Sequence, residues 1–370
     1  MANWSEIPDD IIQLFVKKLS SLEDFISFSL VCNSWRSVAT AESQSGLLIF
    51  SPWLMLTKRN TNSDDGQGGS IRTIVSLSTR KLINIRLLET QGRRCWGSAC
   101  GWLVTMGLDL NIHLLNPLSR IQISLPSLCA FPPDQQHAFC KPEKLCQVFV
   151  EKFALGAKPP LPNQTSVVMA IYGGYGRLAF ATPGDEAWTP VESSTFRTHE
   201  DIIFFNGHFY VVTSCGYLRV CEINMTIPRT TDIAPCPSNV KGSYKFYLME
   251  ISGILHLIVR NLHVNLHYFS VDFEVYKFDF CEKFWCDVLD LGDHALFVGN
   301  NNSFSISTSK YPEFKANCIY FTDDHGGFFH EHFYDMGVYN YNTGNMEEPF
   351  YSSEDLLSKI SRPIFFMPSL

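Results

Sequence analysis

The sequence predicts a small all-α head followed by a large all-β domain, with a β-propeller as the first choice for the β domain. In the first forty residues, apolar side chains recur at the period of a helix; from about residue 47 onward, short apolar runs alternate with Gly, Asn, Asp and Pro. No helix-length amphipathic segment interrupts these runs before residues 353–360, which predict a short C-terminal helical segment. A parallel sheet built from βαβ units is therefore not expected.

The composition narrows the class of protein. With 370 residues, of which 45% are hydrophobic, the chain can bury a sizeable core, and its length alone favours two domains. A net charge of −8 argues against nucleic acid or an anionic membrane as the main partner. Because no apolar run is long enough to span a bilayer and no signal peptide opens the chain, we expect a soluble protein of the nucleus, the cytoplasm or both, with its cysteines reduced.

The first predicted helix follows Pro8. Apolar residues at positions 11, 12, 15, 16 and 19 lie on one helical face. Pro8 suits the first turn, where its missing N–H costs nothing, and Asp9 and Asp10 are favourable near the positive end of the helix dipole. These features predict a helix that begins near residue 8 and ends before Ser20.

A second helix is predicted from the stripe formed by positions 25, 28, 32 and 35. The pair would form a head of residues 1–45, and residues 46–370 would form the β domain. Roughly 40 residues lie at the lower limit for a self-sufficient core, so we expect the head to lean on the β domain or on a partner protein.

The β domain shows a loose repeat of hairpins. Gly207 and Gly253 stand 46 positions apart, each just before an apolar run, and this spacing is within the range of one four-stranded propeller blade. Other spacings are irregular, which leaves a large β-sandwich as the second choice. Residues 58–70 contain no apolar side chain and predict a flexible loop.

The head resembles an F-box. The order Ile7-Pro8, a helix, then Val31-Cys32-x-x-Trp35 matches that motif over about 35 residues, with Ile for the usual Leu at position 7. A helical hairpin packed on the β domain would also explain the apolar stripes, but not the whole constellation. The resemblance implies docking on a Skp-type adaptor, and through it on cullin and RING subunits.

The resemblance divides the apolar residues of the head into two sets. The set expected to contact the adaptor comprises Ile7, Pro8, Ile11, Phe15, Val16 and Val31, although Val31 and the adjacent Cys32 fit either set. The set expected to hold the head together comprises Leu19, Phe25, Leu30 and Trp35.

The β domain extends the resemblance to nearly the whole chain. Strings such as Gly101-Trp102-Leu103, residues 114–120, residues 291–297, residues 317–324 and residues 363–370 are similar to those of a plant-specific group of F-box proteins. The C-terminal half of that group was long catalogued as a domain of unknown function and is described as a propeller-like domain. The resemblance thus implies a kelch-like propeller.

The sequence predicts no catalytic residue, cofactor or metal site. The glycine-rich residues 172–177 lack the Lys-Ser/Thr of a phosphate loop and predict a β-hairpin turn. Asp and His residues between positions 323 and 332 could in principle hold a divalent cation, but a solvated loop is the simpler reading. In the same stretch, Phe329, His332 and Tyr334 are candidates for contacts with a client protein, with an edge strand of the core as the alternative.

These expectations combine into one functional hypothesis. The protein would be the non-catalytic substrate receptor of a Skp–cullin–F-box ubiquitin ligase, in which the head binds the adaptor and the β domain holds a protein client for ubiquitination and degradation. The alternative is a propeller enzyme or small-ligand-binding protein with an incidental helical hairpin. It would need polar and titratable residues that converge on a central channel.

Overall fold

The structure is a computed structural model. It describes residues 6–19, 22–29, 31–44, 51–56, 71–77, 82–156, 166–193, 198–240, 242–264, 268–324, 335–347 and 362–369. The predicted loop 58–70 and the predicted helical segment 353–360 lie outside these ranges. Within them, no helix combines the length and the apolar character needed to cross a membrane.

The head contains three helices, α1 (Asp9–Val16), α2 (Leu22–Ser29) and α3 (Asn33–Gln44). The sequence analysis predicted a single second helix from the apolar stripe at positions 25, 28, 32 and 35, and this prediction is wrong. The structure divides that segment into two helices, α2 and α3. The Ser29 hydroxyl donates to the carbonyl of Phe25 at 2.8 Å at the end of α2, and the N–H of Arg36 donates to the carbonyl of Cys32 at 3.1 Å at the start of α3. A serine hydroxyl that donates to the carbonyl four residues before it competes with the backbone N–H groups that would continue the helix, which fits the end of α2 at Ser29.

The core of the head is continuous with that of the β domain. Ile12, Val16, Phe25 and Trp35 are buried in a cluster that also contains Trp53, Met55, Ile364 and Phe366 of the first blade. The Phe28 ring packs on Trp35 with centroids 4.4 Å apart. The expectation that so small a head leans on another surface is thus met within the chain itself.

The β domain is a propeller, as predicted, and the sandwich alternative is wrong. The twenty-five strands in the described residues form six blades. Blade 1 begins with β1 (Trp53–Met55), β2 (Ile71–Ser76) and β3 (Leu82–Arg86). Blade 2 contains β4 (Arg93–Gly97), β5 (Leu103–Gly107), β6 (Ile112–Leu115) and β7 (Gln122–Leu125), after which α4 (Pro142–Val148) leads to the next blade.

The remaining blades follow in chain order. Blade 3 contains β8 (Val150–Leu155), β9 (Val168–Tyr172), β10 (Arg177–Ala181) and β11 (Thr189–Ser193), and blade 4 contains β12 (His199–Phe205), β13 (His208–Thr213), β14 (Leu218–Glu222) and β15 (Arg229–Ala234). Blade 5 contains β16 (Ser243–Ile251), β17 (Ile254–Val264), β18 (Tyr268–Asp279) and β19 (Phe284–Asp287). Blade 6 contains β20 (His294–Val298), β21 (Phe304–Ser307), β22 (Cys318–Phe321), β23 (Gly337–Asn340) and β24 (Asn345–Glu347).

The ring closes through the last strand, β25 (Ile364–Phe366), which pairs antiparallel with β1 and becomes the inner strand of blade 1. Phe365 is fully buried and packs edge-on against Phe297 of blade 6, with centroids 5.2 Å apart. Because the first and last strands share one sheet, the blades cannot separate without breaking this pairing.

Two features depart from a regular repeat. The outer strands β11 and β15 pair in parallel, so that blades 3 and 4 form one eight-stranded sheet. In blade 6, β20 pairs in parallel with β22, and the short strand β21 is added on the inner side as a hairpin with β20. Such irregularity explains why the spacing of the sequence repeat is only approximate.

The predicted spacing of 46 residues marks equivalent turns. Gly207 closes the first hairpin of blade 4 and Gly253 that of blade 5, with φ of +81° and +78°. Asn206 and Ser252, which precede them, also have positive φ, of 46° and 50°. Two consecutive residues with positive φ are typical of the two-residue turn that best fits the twist of a β-hairpin, and glycine adopts that conformation without strain.

A segment of blade 6 forms hydrogen bonds with the inner strands of three other blades. The Asn302 N–H donates to the carbonyl of Gly97 at 3.0 Å, and its side-chain amide donates to the carbonyl of Phe153 at 2.8 Å. The N–H of Phe365 donates to Asn301 Oδ1 at 3.3 Å. A Cβ at position 97 would lie 2.2 Å from the carbonyl oxygen of Phe365, so glycine permits this close approach. Residues 299–303 thus join blades 1, 2 and 3 from the inside.

His199 occupies the seam between blades 3 and 4. Its Nδ1–H donates to the carbonyl of Gly176 at 2.7 Å, and its Nε2 lies 3.5 Å from a guanidinium nitrogen of Arg219. Burial lowers the pKa of His199 to about 4, and the positive charge of Arg219 acts in the same direction. The imidazole is therefore neutral at pH 7.

This burial predicts a loss of stability in mild acid. The folded-state pKa lies below that of the unfolded chain, so the unfolded chain binds the proton first as the pH falls below about 6.5. Compared with His199→Gln, the wild type is expected to lose about 2 kcal/mol of unfolding free energy between pH 7 and pH 4.5. Urea denaturation of both proteins at the two pH values measures this difference. The control is His208→Gln, which alters an exposed histidine; its unfolding free energy should change with pH as that of the wild type does. An equal change in unfolding free energy between the two pH values for all three proteins would contradict the prediction.

Candidate functional sites on the head and in the channel

The head presents an apolar face to solvent. Leu14 and Phe15 on α1 are 58% and 51% exposed, and Ile11 on the same helix and Val31 between α2 and α3 are also exposed. We call Ile11, Leu14, Phe15 and Val31 the head face. Large apolar side chains that lie together in water are typical of a surface that another protein covers.

The helical period of α1 explains why this face is free. Ile12 and Val16 are one turn apart and point into the core, while Ile11, Leu14 and Phe15 follow the i, i+3, i+4 pattern on the other side. Val16, which the sequence analysis assigned to the adaptor-contacting set, is fully buried in the shared cluster, so we expect it to stabilise the head rather than to contact the adaptor.

The other residues of the two predicted sets have different positions. Pro8 is exposed at the start of α1, whereas Ile7 is half-buried against the shared cluster. Phe25 and Trp35 are buried, and Leu19 packs against them from the edge. Leu30 lies outside the described residues.

Leu14 is the residue that the sequence analysis missed. It is the most exposed member of the head face, and it stands three positions after Ile11. The signal was present in that spacing, but the apolar stripe at positions 11, 12, 15, 16 and 19, on which the prediction of α1 rests, does not include position 14.

The predicted client-binding residues Phe329, His332 and Tyr334 lie outside the described residues. Of the Asp and His stretch around them, Asp323 and Asp324 are described. Asp323 pairs with Arg362 at 3.3 Å, and Asp324 pairs with Lys245 at 3.4 Å and with Arg260 at 3.2 Å. These two carboxylates are therefore engaged by cations of the protein.

A cluster of charged side chains lies where the inner strands β8, β12 and β16 begin. We call it the channel cluster, and it comprises Glu151, Lys152, Glu200, Asp201, Lys245 and Asp324. Lys152 Nζ lies 2.5 Å from Asp201 Oδ1, while the other oxygen of Asp201 accepts from the N–H of Leu248 at 2.8 Å. Asp201 thereby ties three inner strands together.

The electrostatics of the channel cluster follow from burial and pairing. Burial alone would lower the pKa of Lys245, but the carboxylates of Asp324, Glu151 and Glu200 raise it, and the amine is protonated. Burial would raise the pKa of Asp324, yet Lys245 and Arg260 hold it below its usual range. Glu200 accepts from the N–H of Phe246 at 3.2 Å, and its burial raises its pKa to about 7.

This arrangement indicates a structural role for the channel cluster. Cations and carboxylates from different blades neutralise each other, which satisfies buried charges that would otherwise be costly. In the described part of the chain, no group of three or more His, Cys, Asp or Glu residues converges as a metal site would require. The cluster can hold the inner strands in register.

Comparisons with known proteins agree with the division of the chain. Residues 4–43 match the family described as the F-box domain, and residues 74–340 match the family described as the KIB1-4 beta-propeller. The F-box protein SKIP23 of Arabidopsis thaliana is 26% identical over 394 aligned positions, which cover 94% of this chain and 91% of that protein. The F-box protein At2g17036 of the same plant is 26% identical over 345 positions, covering 84% and 80%.

Proposed function

Because this chain belongs to the plant F-box proteins with a KIB1-4 beta-propeller domain, we propose that it is the substrate receptor of a Skp–cullin–F-box ubiquitin ligase. The head would bind a Skp-type adaptor, and the propeller would hold a protein client. The subunit would act without catalysis of its own: it raises the effective concentration of client lysines near a recruited ubiquitin-conjugating enzyme.

The exposed head face carries the proposal. Its four apolar side chains lie outside the shared core, so a partner can cover them without unfolding the head. Burial of each contributes about 1.5–3 kcal/mol, and such a sum can exceed the cost of association.

The experiment should use point variants of the full chain. Removal of residues 1–40 would expose Trp53, Met55 and Phe366, with which the head shares a core, so that a deletion would confuse lost docking with lost folding. We therefore suggest proximity labelling in plant cells with the proteasome inhibited, comparing the wild type with a Leu14→Gln, Phe15→Gln double variant.

Two groups of labelled proteins should separate in this comparison. The Skp-type adaptor, the cullin and the RING subunit are expected with the wild type and not with the double variant. Clients held by the propeller should be labelled by both, and they should carry fewer ubiquitin chains with the variant. Equal labelling of the cullin by both chains would contradict the proposed function.

A further inference from the structure

A cavity opens on the face of the propeller where the inner strands end. It has a volume of about 360 Å³ and is lined by residues of blades 2 to 6. Trp53, the first residue of β1, pairs with Phe366, the last residue of β25, so the head joins the propeller at this same face. We call the cavity the mouth cavity, and Asn302 and Ser303 are part of its lining. Its size lies at the lower end of the range for ligand pockets, about 300–1,000 Å³.

The walls of the mouth cavity are mixed in character. Leu155, Ile202 and Phe304 supply apolar surface from blades 3, 4 and 6. Several hydroxyl groups in the lining are already engaged: Ser98 donates to the carbonyl of Trp102 at 2.6 Å, and Ser305 donates to the carbonyl of Glu250 at 2.8 Å. Because their hydrogens are used in these bonds, the two hydroxyl groups cannot donate to a ligand.

Two lining residues, Ser303 and Glu250, have a polar group that a ligand could contact. Ser303 is only 8% exposed, and its Oγ has no hydrogen-bond partner in the described structure. Glu250, an exposed residue near the end of β16, is the one charged residue among the fourteen that line the cavity. Its carboxylate forms no ion pair with another of the described residues, while Ser252 beside it in the lining lies 3.0 Å from His294 Nε2 through its hydroxyl oxygen. A buried hydroxyl without a partner is costly unless something else supplies one.

This combination selects for a particular ligand. One carboxylate beside apolar walls fits a group with a single positive charge on an apolar stem, since the stem covers the walls and the cation meets the carboxylate. An anionic ligand would be repelled by Glu250, and a purely apolar one would cover the walls without supplying a counter-charge to the carboxylate. The net charge of −8 also favours the approach of a basic partner.

We propose that the mouth cavity binds the side chain of a lysine or arginine from an extended segment of the client, with Glu250 as the partner of its cation. This inference rests on the proposed function, because it names the chemistry by which the propeller would hold its client. With a volume of about 360 Å³, the cavity has room for the tip of a side chain.

The test measures binding of short peptides to the full chain by calorimetry. The probes are acetyl-Ala-Ala-Lys-Ala-Ala-amide, its arginine and norleucine analogues, and n-butylammonium. The lysine or the arginine peptide is expected to bind saturably below about 10 mM, at least fivefold more tightly than the norleucine peptide, which has the stem without the charge. Glu250→Gln should abolish that preference. Glu282→Gln, which alters an exposed carboxylate on a neighbouring turn, should keep it.

Several results would overturn the inference. These are equal affinities for the lysine and norleucine peptides, an unchanged preference in Glu250→Gln, or no saturable binding of either basic peptide. Butylammonium binding as tightly as the better basic peptide would also overturn it, since the ligand would then be a free amine. Capture of the Skp-type adaptor by the same preparations separates the two proposals: Glu250→Gln should retain the adaptor, while Leu14→Gln, Phe15→Gln should lose it and still bind the basic peptide.

Discussion

Replacing Leu14 and Phe15 together by glutamine is expected to abolish stable binding of a Skp-type adaptor. Each side chain is more than half exposed, and each would contribute about 1.5–3 kcal/mol once covered by a partner. Their joint loss corresponds to a weakening of Kd by roughly a hundredfold to ten-thousandfold. Surface plasmon resonance with the purified adaptor would measure it.

Glutamine makes this test specific to the interface. It forms helices about as well as leucine and carries no charge, so neither helix propensity nor the helix dipole should disturb α1. The matched control is Phe139→Gln, because Phe139 is a fully exposed phenylalanine outside the head, at 100% exposure. If the control weakens adaptor binding as much as the double variant does, the head face is not the docking surface.

Val16→Ala provides a second comparison with Phe15→Ala. Val16 is fully buried, so its truncation is expected to lower the thermal stability of the head and to leave the affinity of the folded protein nearly unchanged. Phe15→Ala should do the reverse. A larger loss of affinity for Val16→Ala than for Phe15→Ala would restore Val16 to the set that contacts the adaptor.

Replacing Arg260 by methionine is expected to cause the largest loss of stability among single substitutions in the propeller. The guanidinium, 1% exposed, donates to Asp324 at 3.2 Å, to Asp335 at 3.0 Å, to the hydroxyl of Tyr247 at 3.1 Å and to the carbonyl of Thr322 at 2.9 Å. It thus ties β17 of blade 5 to the segments around β22 and β23 of blade 6. The carboxylates beside it raise its pKa, so its charge is permanent.

The expected cost follows from the partners that would be left behind. Methionine fills much of the same space but leaves two carboxylates and a tyrosine hydroxyl with fewer partners in a buried setting. Breaking a buried pair in this way costs about 3–5 kcal/mol, which corresponds to a fall in Tm of roughly 4–8 °C for a domain that spans residues 46–370. Calorimetric unfolding measures the change, and a fall of less than 2 °C would show that the network contributes little.

Two further substitutions bracket the result for Arg260. Arg260→Lys keeps the charge and loses the planar fork, so an intermediate loss of Tm is expected. Arg229→Met removes an exposed arginine whose pair with Glu222 lies on the surface at 3.0 Å, and such pairs contribute less than about 1 kcal/mol. We expect Tm to be lowest for Arg260→Met, intermediate for Arg260→Lys and highest for the wild type. The Tm of Arg229→Met should be close to that of the wild type.

Much of the fold was predictable because it depends on local patterns. The phase of Ile11, Ile12, Phe15 and Val16 predicted α1, and the recurrence of Gly207 and Gly253 predicted the propeller through the length of one blade. The second helical stripe misled, because a periodic pattern does not show where a hydrogen-bonded helix stops. α2 ends at Ser29 and α3 begins at Asn33, and these two polar residues were the sequence signal for the break.

The sites were less predictable than the elements. An exposed and a buried apolar residue look alike in sequence, so the buried Val16 was grouped with the exposed residues of α1 and the exposed Leu14 was not named. Glu250 and Ser303 lie 53 positions apart and gave no pattern, although both line one cavity. Each side of that cavity comes from a different blade, so the juxtaposition exists only after the ring has closed.

The sequence by itself determined the class of each part: a helical head with one apolar stripe per helix, and a β domain of repeated hairpins with glycine at their turns. These features are local, since propensity, period and turn conformation act within a few residues. The tertiary structure alone decided which apolar residues remain on the surface, how β25 closes the ring on β1, and which charges meet in the channel. The physical reason is that burial and pairing depend on contacts between distant segments, such as Trp53 with Phe366, which no local pattern specifies.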